Sequence, residues 1–231
     1  MLTPRLLTIF SNVLQEKPMA DIGTDHAYLP VELVRGQVVP RAIASDINTG
    51  PLERAQAHIV RAGFSEKIET RLGSGLTVLS PGEVSTIVIA GMGGYLITEL
   101  IEASLDTAHA ADRLVLQPMN NAEVLRHFLE DNGFKIIKED LAREDRRIYE
   151  IIVACSGEMH FNREVDYLIG YEAQAAGHPL FKDMIERKIE MAMRVANHTR
   201  NGSTEAAREQ HVRSMALIEM LKEVIHECKM Q

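Results

Sequence analysis

The sequence predicts an α/β protein, a parallel sheet covered on both faces and followed by a C-terminal α-helical hairpin. Three observations carry that prediction. Short, almost wholly apolar runs alternate with helical stretches through the first two thirds of the chain, the pattern of strands buried on both faces. The first of these runs, Met19-Ala-Asp21-Ile-Gly23-Thr-Asp25, carries an acid at its end and opens at once into a glycine turn. Past His178-Pro179 the strand pattern gives way to two apolar stripes at helical spacing. Residues 1–158 therefore form one expected domain, and 159–231 a second, coiled-coil-like one.

The carboxyl end of the first strand, at Asp21 and Gly23, is where a parallel sheet places a nucleotide-like cofactor. The spacing is not that of a dinucleotide site, because G-x-G-x-x-G would need glycine where Asp25 stands, and this argues against a dehydrogenase. The second strand, Arg41-Ala-Ile-Ala-Ser-Asp46, ends in a carboxylate 25 positions after Asp21. An acid at about that distance clamps ribose hydroxyls, since a carboxylate accepts two such hydrogen bonds. Asp46 also suits the N-cap of the helix that follows at Pro51-Leu-Glu-Arg-Ala, and the two roles are compatible. Lys67-Ile-Glu-Thr-Arg71 alternates like a half-buried strand and runs into Gly73-Ser74-Gly75.

A fourth, fully apolar strand, Thr86-Ile-Val-Ile-Ala90, leads to Gly91-Met-Gly-Gly94, and a fifth, Arg113-Leu-Val-Leu-Gln117, to Pro118-Met-Asn-Asn121. The helix from Ala122 stops at Asn132-Gly133, as a C-terminal glycine should make it. Closing strands are expected at Phe134-Lys-Ile-Ile-Lys138 and Tyr149-Glu-Ile-Ile-Val-Ala154. The charged segment between them, 139–147, reads as a solvated hairpin loop in preference to a substrate-gripping element.

Beyond residues 161–177, Leu180, Met184, Ile185, Ile189, Ala192, Val195 and Ala196 share one helical stripe. Asn201-Gly202-Ser203 breaks it, and Val212, Met215, Ile218, Leu221, Val224, Ile225 and Cys228 form a second. Two such helices joined by a short break fold back as an antiparallel hairpin. Methionines on the stripes fill packing gaps and need no cofactor to explain them.

Three motifs in register are specific enough to name a family. Asp21-Ile-Gly-Thr-Asp-His-Ala-Tyr-Leu-Pro30, Ile89-Ala-Gly-Met-Gly-Gly94 and Gln117-Pro118 stand in the order and spacing of the bacterial tRNA (adenine-22-N1)-methyltransferases, which the chain resembles over essentially its whole length. Thr49-Gly-Pro-Leu52 and the opening Leu2-Thr-Pro-Arg5-Leu are similar too. The resemblance implies a Rossmann-like class I methyltransferase sheet, S-adenosylmethionine (SAM) as cofactor, and tRNA as substrate. It implies that Asp21, Gly23 and Asp25 hold the methionine end of SAM, with Thr24 beside them. Asp46, followed by Ile47, falls at the ribose, and Gly73, Ser74 and Gly75 border the adenine. Ala90, Gly91 and Met92 line the opposite wall. Methyltransferases of exocyclic amines often carry an Asn/Asp-Pro-Pro-aromatic clamp after strand four. Glycines stand there here, which suits a ring nitrogen with its own lone pair. One departure is Ser74, where the family has aspartate to bond the adenine amine. A serine hydroxyl still accepts a hydrogen bond, but a charge-assisted bond is roughly twice as strong.

Candidates for the acceptor side and for catalysis are Asp25, His26, Tyr28, Gln117, Asn120 and Asn121. Tyr28 either stacks on the target base or caps the core. His26 is either a general base or a turn-stabilising residue. Asn120 and Asn121 either bond the base edge or cap the helix after them.

Composition sets outer limits. The chain has 231 residues, is 45% hydrophobic, and carries a net charge of −8. No apolar run reaches the ~20 residues that span a bilayer, and the first ten residues lack a signal-peptide layout. Cys155 and Cys228 make neither a disulfide framework nor a metal motif, so reduced thiols, a cytoplasmic location and no metal are expected. Neither DNA nor membrane is an expected partner, and the oligomeric state is not legible. The negative charge requires basic residues to cluster if RNA is bound, since phosphate contacts supply most of such affinity. Arg5, Arg35, Arg41, Arg143, Arg146 and Arg147 are the candidates in the first domain, and Lys182, Arg187, Arg194 and Arg200 along the hairpin. Three functions are thus weighed: a tRNA adenine-N1 methyltransferase, a SAM methyltransferase of a small molecule or protein, and a non-catalytic SAM- or RNA-binding module.

Overall fold

The protein, as a computed structural model, is described over residues 2–170 and 177–230, with side chains described as far as residue 227. Seven strands form one sheet in the order β3-β2-β1-β4-β5-β7-β6. They are β1 (Met19–Ile22), β2 (Ala42–Asp46), β3 (Ile68–Leu72), β4 (Thr86–Met92), β5 (Arg113–Pro118), β6 (Phe134–Glu144) and β7 (Arg147–Ser156). β1 to β5 pair in parallel, while β7 runs antiparallel to both β5 and β6. Strand order reverses between β1 and β4, which opens a crevice at their carboxyl ends.

Alternate side chains of each strand enter opposite layers. Val88 and Val115 pack under α1 (Pro4–Ser11), α2 (Tyr28–Arg35) and α3 (Thr49–Ala62), where Ile9, Leu33 and Ile59 are buried. Ile87, Ile89, Leu114 and Leu116 pack under α4 (Gly94–Glu102), α5 (Leu105–Ala110) and α6 (Ala122–Asp131), against Ile97, Ile101, Leu125 and Leu129. α1 starts as its sequence dictates, with Pro4 in the first turn and Thr3 capping the Leu6 amide.

Three readings of the sequence are corrected. The charged segment 139–147 is not a solvated loop, because β6 continues to Glu144 and β7 begins at Arg147. Glu139, Asp140 and Arg143 are paired within the fold, and Leu141 is buried under the helical hairpin. The short helix α7 (Glu164–Ile169) was not foreseen in the 161–177 transition, of which 171–176 lies outside the described residues. In the hairpin itself, α8 (Phe181–Thr199) and α9 (Glu205–Met230) bury Met184, Ile185, Ala192, Ala196, Ile218, Leu221 and Val224, with Ile189 partly covered. Val195, Val212 and Met215 face outward instead. Near the tip small and polar residues occupy the seam: Ser214 is buried, His211 Nδ1 contacts the Ala196 carbonyl at 2.9 Å, and Ala207 packs against Gly202. The predicted stripe position Cys228 falls among the side chains not described.

The hairpin is fastened to the sheet by a buried ionic network. Arg126 of α6 is 1% exposed and bonds Glu139 Oε1 of β6 at 2.7 Å, Glu150 Oε2 of β7 at 2.8 Å and the Tyr167 carbonyl of α7 at 2.8 Å. Lys188 of α8 reaches the other Glu150 oxygen at 2.6 Å. Burial alone would raise the Glu150 carboxyl, but Lys188 and Arg126 hold it down to about 2. Gly170, at φ +79°, lets the backbone pass over this cluster, since a Cβ there would sit 2.5 Å from Glu139 Oε2.

Removing one partner of a buried ion pair leaves an uncompensated charge, so Arg126→Ala should cost about 3–5 kcal/mol in urea unfolding at neutral pH. Arg126→Lys, which keeps the charge without the planar fork, should recover only part of that loss.

Candidate active site

The carboxyl edge of the sheet gathers the loops that follow β1, β2, β3, β4 and β5, and almost every residue singled out from the sequence lies on one of them. The loop after β1 is pinned to its neighbour, as the Gly23 and Thr24 amides both donate to the Ser45 carbonyl at 2.8 Å. Thr24 is buried and its hydroxyl accepts the Ala27 amide at 3.1 Å, which sets the left-handed Ala27 (φ 52°) that opens α2. Gly23 has φ +76°, and the Met92 methyl lies where its Cβ would be, 1.9 Å away. The loops after β1 and β4 thus meet without an intervening side chain.

Asp21 lies inside this edge. Burial pushes its carboxyl up to about 6, against the lowering effects of the Thr24 hydrogen bond and the Arg5 charge. A carboxylate so poorly solvated favours a cationic ligand group beside it. Asp46 closes β2, with one oxygen accepting the Asn48 amide at 2.7 Å. Asn48, not Asp46, is the N-cap position of α3. Ile47 is exposed beside Asp46. Beyond β3, Gly73 and Gly75 are tight against Val78 and Leu100, and Ser74 is an exposed residue heading a 3₁₀ turn.

Ala90, Gly91 and Met92 end β4 at an irregularity in the pairing with β5. Gly94 admits the chain after β5, because a Cβ would stand 2.2 Å from the Asn121 carbonyl oxygen, and its amide bonds the Asn120 carbonyl at 3.0 Å. Asn121 is the N-cap residue of α6, in a left-handed conformation and without a side-chain cap bond. The Asn120 side chain lies against Gly93 and is exposed.

The predicted acceptor residues fall into two groups. Asp25, His26 and Tyr28 lie together at the start of α2. Asp25 is paired with Arg54 of α3, and its other oxygen is 3.2 Å from His26 Nε2. His26 stacks on Tyr28 with ring centroids 5.2 Å apart, and Tyr28 meets His58 edge-on at 5.1 Å. Tyr28 is 52% exposed, so it does not cap the core. Gln117, Asn120 and Asn121 form the other group, at the end of β5. Gln117 is wholly buried, accepting from the Gly91 amide at 3.2 Å and from Arg5 Nη1 at 2.7 Å, and donating to the Pro118 carbonyl at 2.8 Å. From inside the fold it positions the backbone of the loops after β4 and β5.

Arg5 is the residue whose part here the sequence does not reveal. It crosses from α1 to Gln117, lies 5.4 Å over the Tyr149 ring, and adjoins the open face of Gly91. Only the Pro4 start of α1 hints that the N-terminal segment is ordered; the contact itself spans 112 positions.

Next to this edge lies a cleft of about 800 Å³ between the end of β5, the start of β7 and the inner face of α8. Residues 118–123, Arg147, Ile148, Tyr149, Glu150, Met184, Arg187, Lys188 and Arg194 are on its walls. Among the described residues, Arg147 and Arg194 have no carboxylate partner, whereas Arg35, Arg143 and Lys182 pair with Glu32, Asp183 and Glu186. Arg41 bonds the Glu83 carbonyl, and Arg187 that of Arg146. Of the cations singled out from the sequence, Arg147 and Arg194 thus stand at the cleft without a carboxylate partner, beside the carboxylates of Glu123, Glu150 and Glu190.

Residues 2–152 match the family model of a methyltransferase domain. The chain is similar to the tRNA (adenine(22)-N(1))-methyltransferase of Bacillus subtilis, 39% identical over 68% of this chain and 66% of that protein. In three dimensions it is similar to the crystal structure of the B. subtilis m1A22 tRNA methyltransferase, with TM-score 0.88, 31% identity, and coverage of 97% and 99% of the two chains. It is also similar to Streptococcus pneumoniae Sp1610, provisionally assigned as a tRNA (m1A22) methyltransferase and solved in complex with SAM, with TM-score 0.87, 34% identity, and coverage of 98% and 100%.

Asp21 supplies a prediction that needs no ligand. Its folded pKa lies above its unfolded value, so the protein loses stability as pH rises from about 4 to about 6 and bears the whole cost above that. Asp21→Asn should therefore raise stability at pH 7.5 by on the order of 2–3 kcal/mol in urea unfolding. The gain should shrink steadily as the measurement is moved down towards pH 4.5.

Proposed function

The chain belongs to the family of SAM-dependent tRNA (adenine-22-N1)-methyltransferases, and we propose that its carboxyl edge holds SAM while the adjoining cleft receives the acceptor base. The protein transfers a methyl group to N1 of adenine 22 in tRNA. What carries the reading of the site is continuity: the glycine-lined edge runs through residues 118–121 directly into a cleft bordered by unpaired arginines.

The residues present fit the cofactor. The desolvated Asp21 carboxylate would hold the amino group of its methionine end, beside the turn at Gly23 and Thr24. Among the described residues Asp46 has one oxygen without a partner, which would take a ribose hydroxyl next to Ile47. Gly73, Ser74 and Gly75 would border the adenine, with Ala90, Gly91 and Met92 on the opposite wall. Asp25, engaged by Arg54 and His26, would act through the loop rather than by direct contact. When bound, SAM supplies an electrophilic methyl group on a sulfonium.

The chain's own residues then have one task, which is alignment. Adenine N1 already carries a lone pair, so no side chain has to deprotonate it. His26 is therefore a turn residue in this reading and not a general base. Asn120 is the exposed amide nearest the glycines after β4, suited to a base edge. Asn121, whose backbone opens α6, sets the loop. Arg147 and Arg194 offer charge to the phosphates beside the target. A base in folded tRNA has to leave its stack to enter such a cleft. Residues 1–158 thus serve as the cofactor domain and 159–231 as the wall that closes the cleft, in an enzyme of the cytoplasm acting on tRNA.

Tritiated methyl transfer from SAM should label an unmodified tRNA transcript and leave an identical transcript lacking adenine 22 blank. Label in both, or in neither while SAM binding persists, would redirect the acceptor assignment. In calorimetry Ser74→Asp should bind SAM several-fold more tightly, since it restores a charge-assisted bond to the adenine amine. An unchanged affinity would remove Ser74 from the adenine site.

A further inference from the structure

We propose that Tyr149 is the platform on which the acceptor base stacks, braced from behind by the Arg5 guanidinium. The inference rests on the reading of the cleft as the base site and adds the surface that would hold the base there. Among the described residues lining the cleft, Tyr149 is the one aromatic side chain. It is half-buried, packs against the core beneath α1, and is fixed in register opposite Ala142 of β6. Its hydroxyl makes no hydrogen bond to the described chain, so the ring is placed by packing and by Arg5 alone.

Arg5 is itself immobilised. Its bond to Gln117 Oε1, at 2.7 Å, shares that oxygen with the Gly91 amide at 3.2 Å. One guanidinium therefore links the Tyr149 ring, 5.4 Å away, to the glycine edge where the methyl group is delivered. A base resting on this ring lies between the cofactor edge and the unpaired Arg147 and Arg194. Tyr28, the aromatic residue singled out from the sequence, is engaged with His26 and His58 at the start of α2 and does not line the cleft. Stacking serves a target that has left its helix, because every base offers a π-face to a rigid ring.

The test uses the full chain with Tyr149→Leu and Tyr149→Phe, SAM, and the tRNA transcript. Tyr149→Leu should lower kcat/KM for tRNA by roughly ten- to a hundredfold, and Tyr149→Phe should recover most of that loss. SAM affinity by calorimetry should stay within about twofold in both variants. A transcript with 2-aminopurine at the target position should fluoresce more strongly on Tyr149→Leu than on the native ring, which quenches a stacked base. Transfer by Tyr149→Leu equal to that of the native chain, or equal fluorescence on the two, overturns the platform and leaves the tRNA reading standing. A fall in SAM affinity that matches the fall in turnover also overturns it, since the ring would then only steady Arg5. Failure of the native chain to label tRNA overturns both.

Discussion

The geometry of the cleft depends on one guanidinium. Arg126 joins α6, β6, β7 and α7, and through Glu150 and Lys188 it reaches α8. Those are the elements that frame the space beside the cofactor edge. A parallel sheet with helices on both faces would be complete without them, ending at β5. The two antiparallel strands, however, project past the edge, and their charged inner residues need partners before the hairpin can cover them. Two carboxylates around one arginine meet that need, and Lys188 balances the second negative charge. The arrangement fixes the hairpin by direction as well as by attraction, because a planar fork accepts its partners only in its own plane.

The same logic explains how an acidic protein presents a basic surface. Most arginines of the first domain are engaged by nearby carboxylates or carbonyls, as Arg71 is by Glu69 and Glu83. Among the described residues, Arg147 and Arg194 face the cleft without carboxylate partners, so the net charge of −8 is not spread evenly over the molecule.

Much of this was legible in the sequence. The apolar runs predicted β1 to β5 to within a residue or two, because strands buried on both faces leave a dense signal, and the glycine-rich turns located the site edge. The extent of β6 and β7 was hidden, since residues such as Glu139 are charged and their partner Arg126 lies on another element. The hairpin's two helices were visible, but the outermost seam was not: its small and polar residues, Ala207, His211 and Ser214, carry no hydrophobic period, while the exposed Val212 and Met215 mimic one. Inside the site, backbone-setting residues such as Gly23 and Gly94 follow from local turns. Arg5 and Tyr149 do not, because what they do is decided by contacts with residues that come from distant parts of the chain.

That separation has a consequence for how the molecule is made. Arg5 is tied to Gln117 across 112 positions, and Asn12 just after α1 is tied to Lys138 across 126. α1 packs on α2 early, yet it gains its full set of partners only when β5 and β6 have emerged. Until then its apolar face is only partly covered, and the carboxyl edge of the sheet lacks Arg5. Contacts of such long range slow the final closure of a fold. A nascent chain ending before β5 would carry the glycine loops and Asp21 without Gln117 to order the turn at Gly91. The carboxyl edge is completed only by the union of the two ends of the domain, so a truncated product of interrupted synthesis would present its glycine loops unfinished.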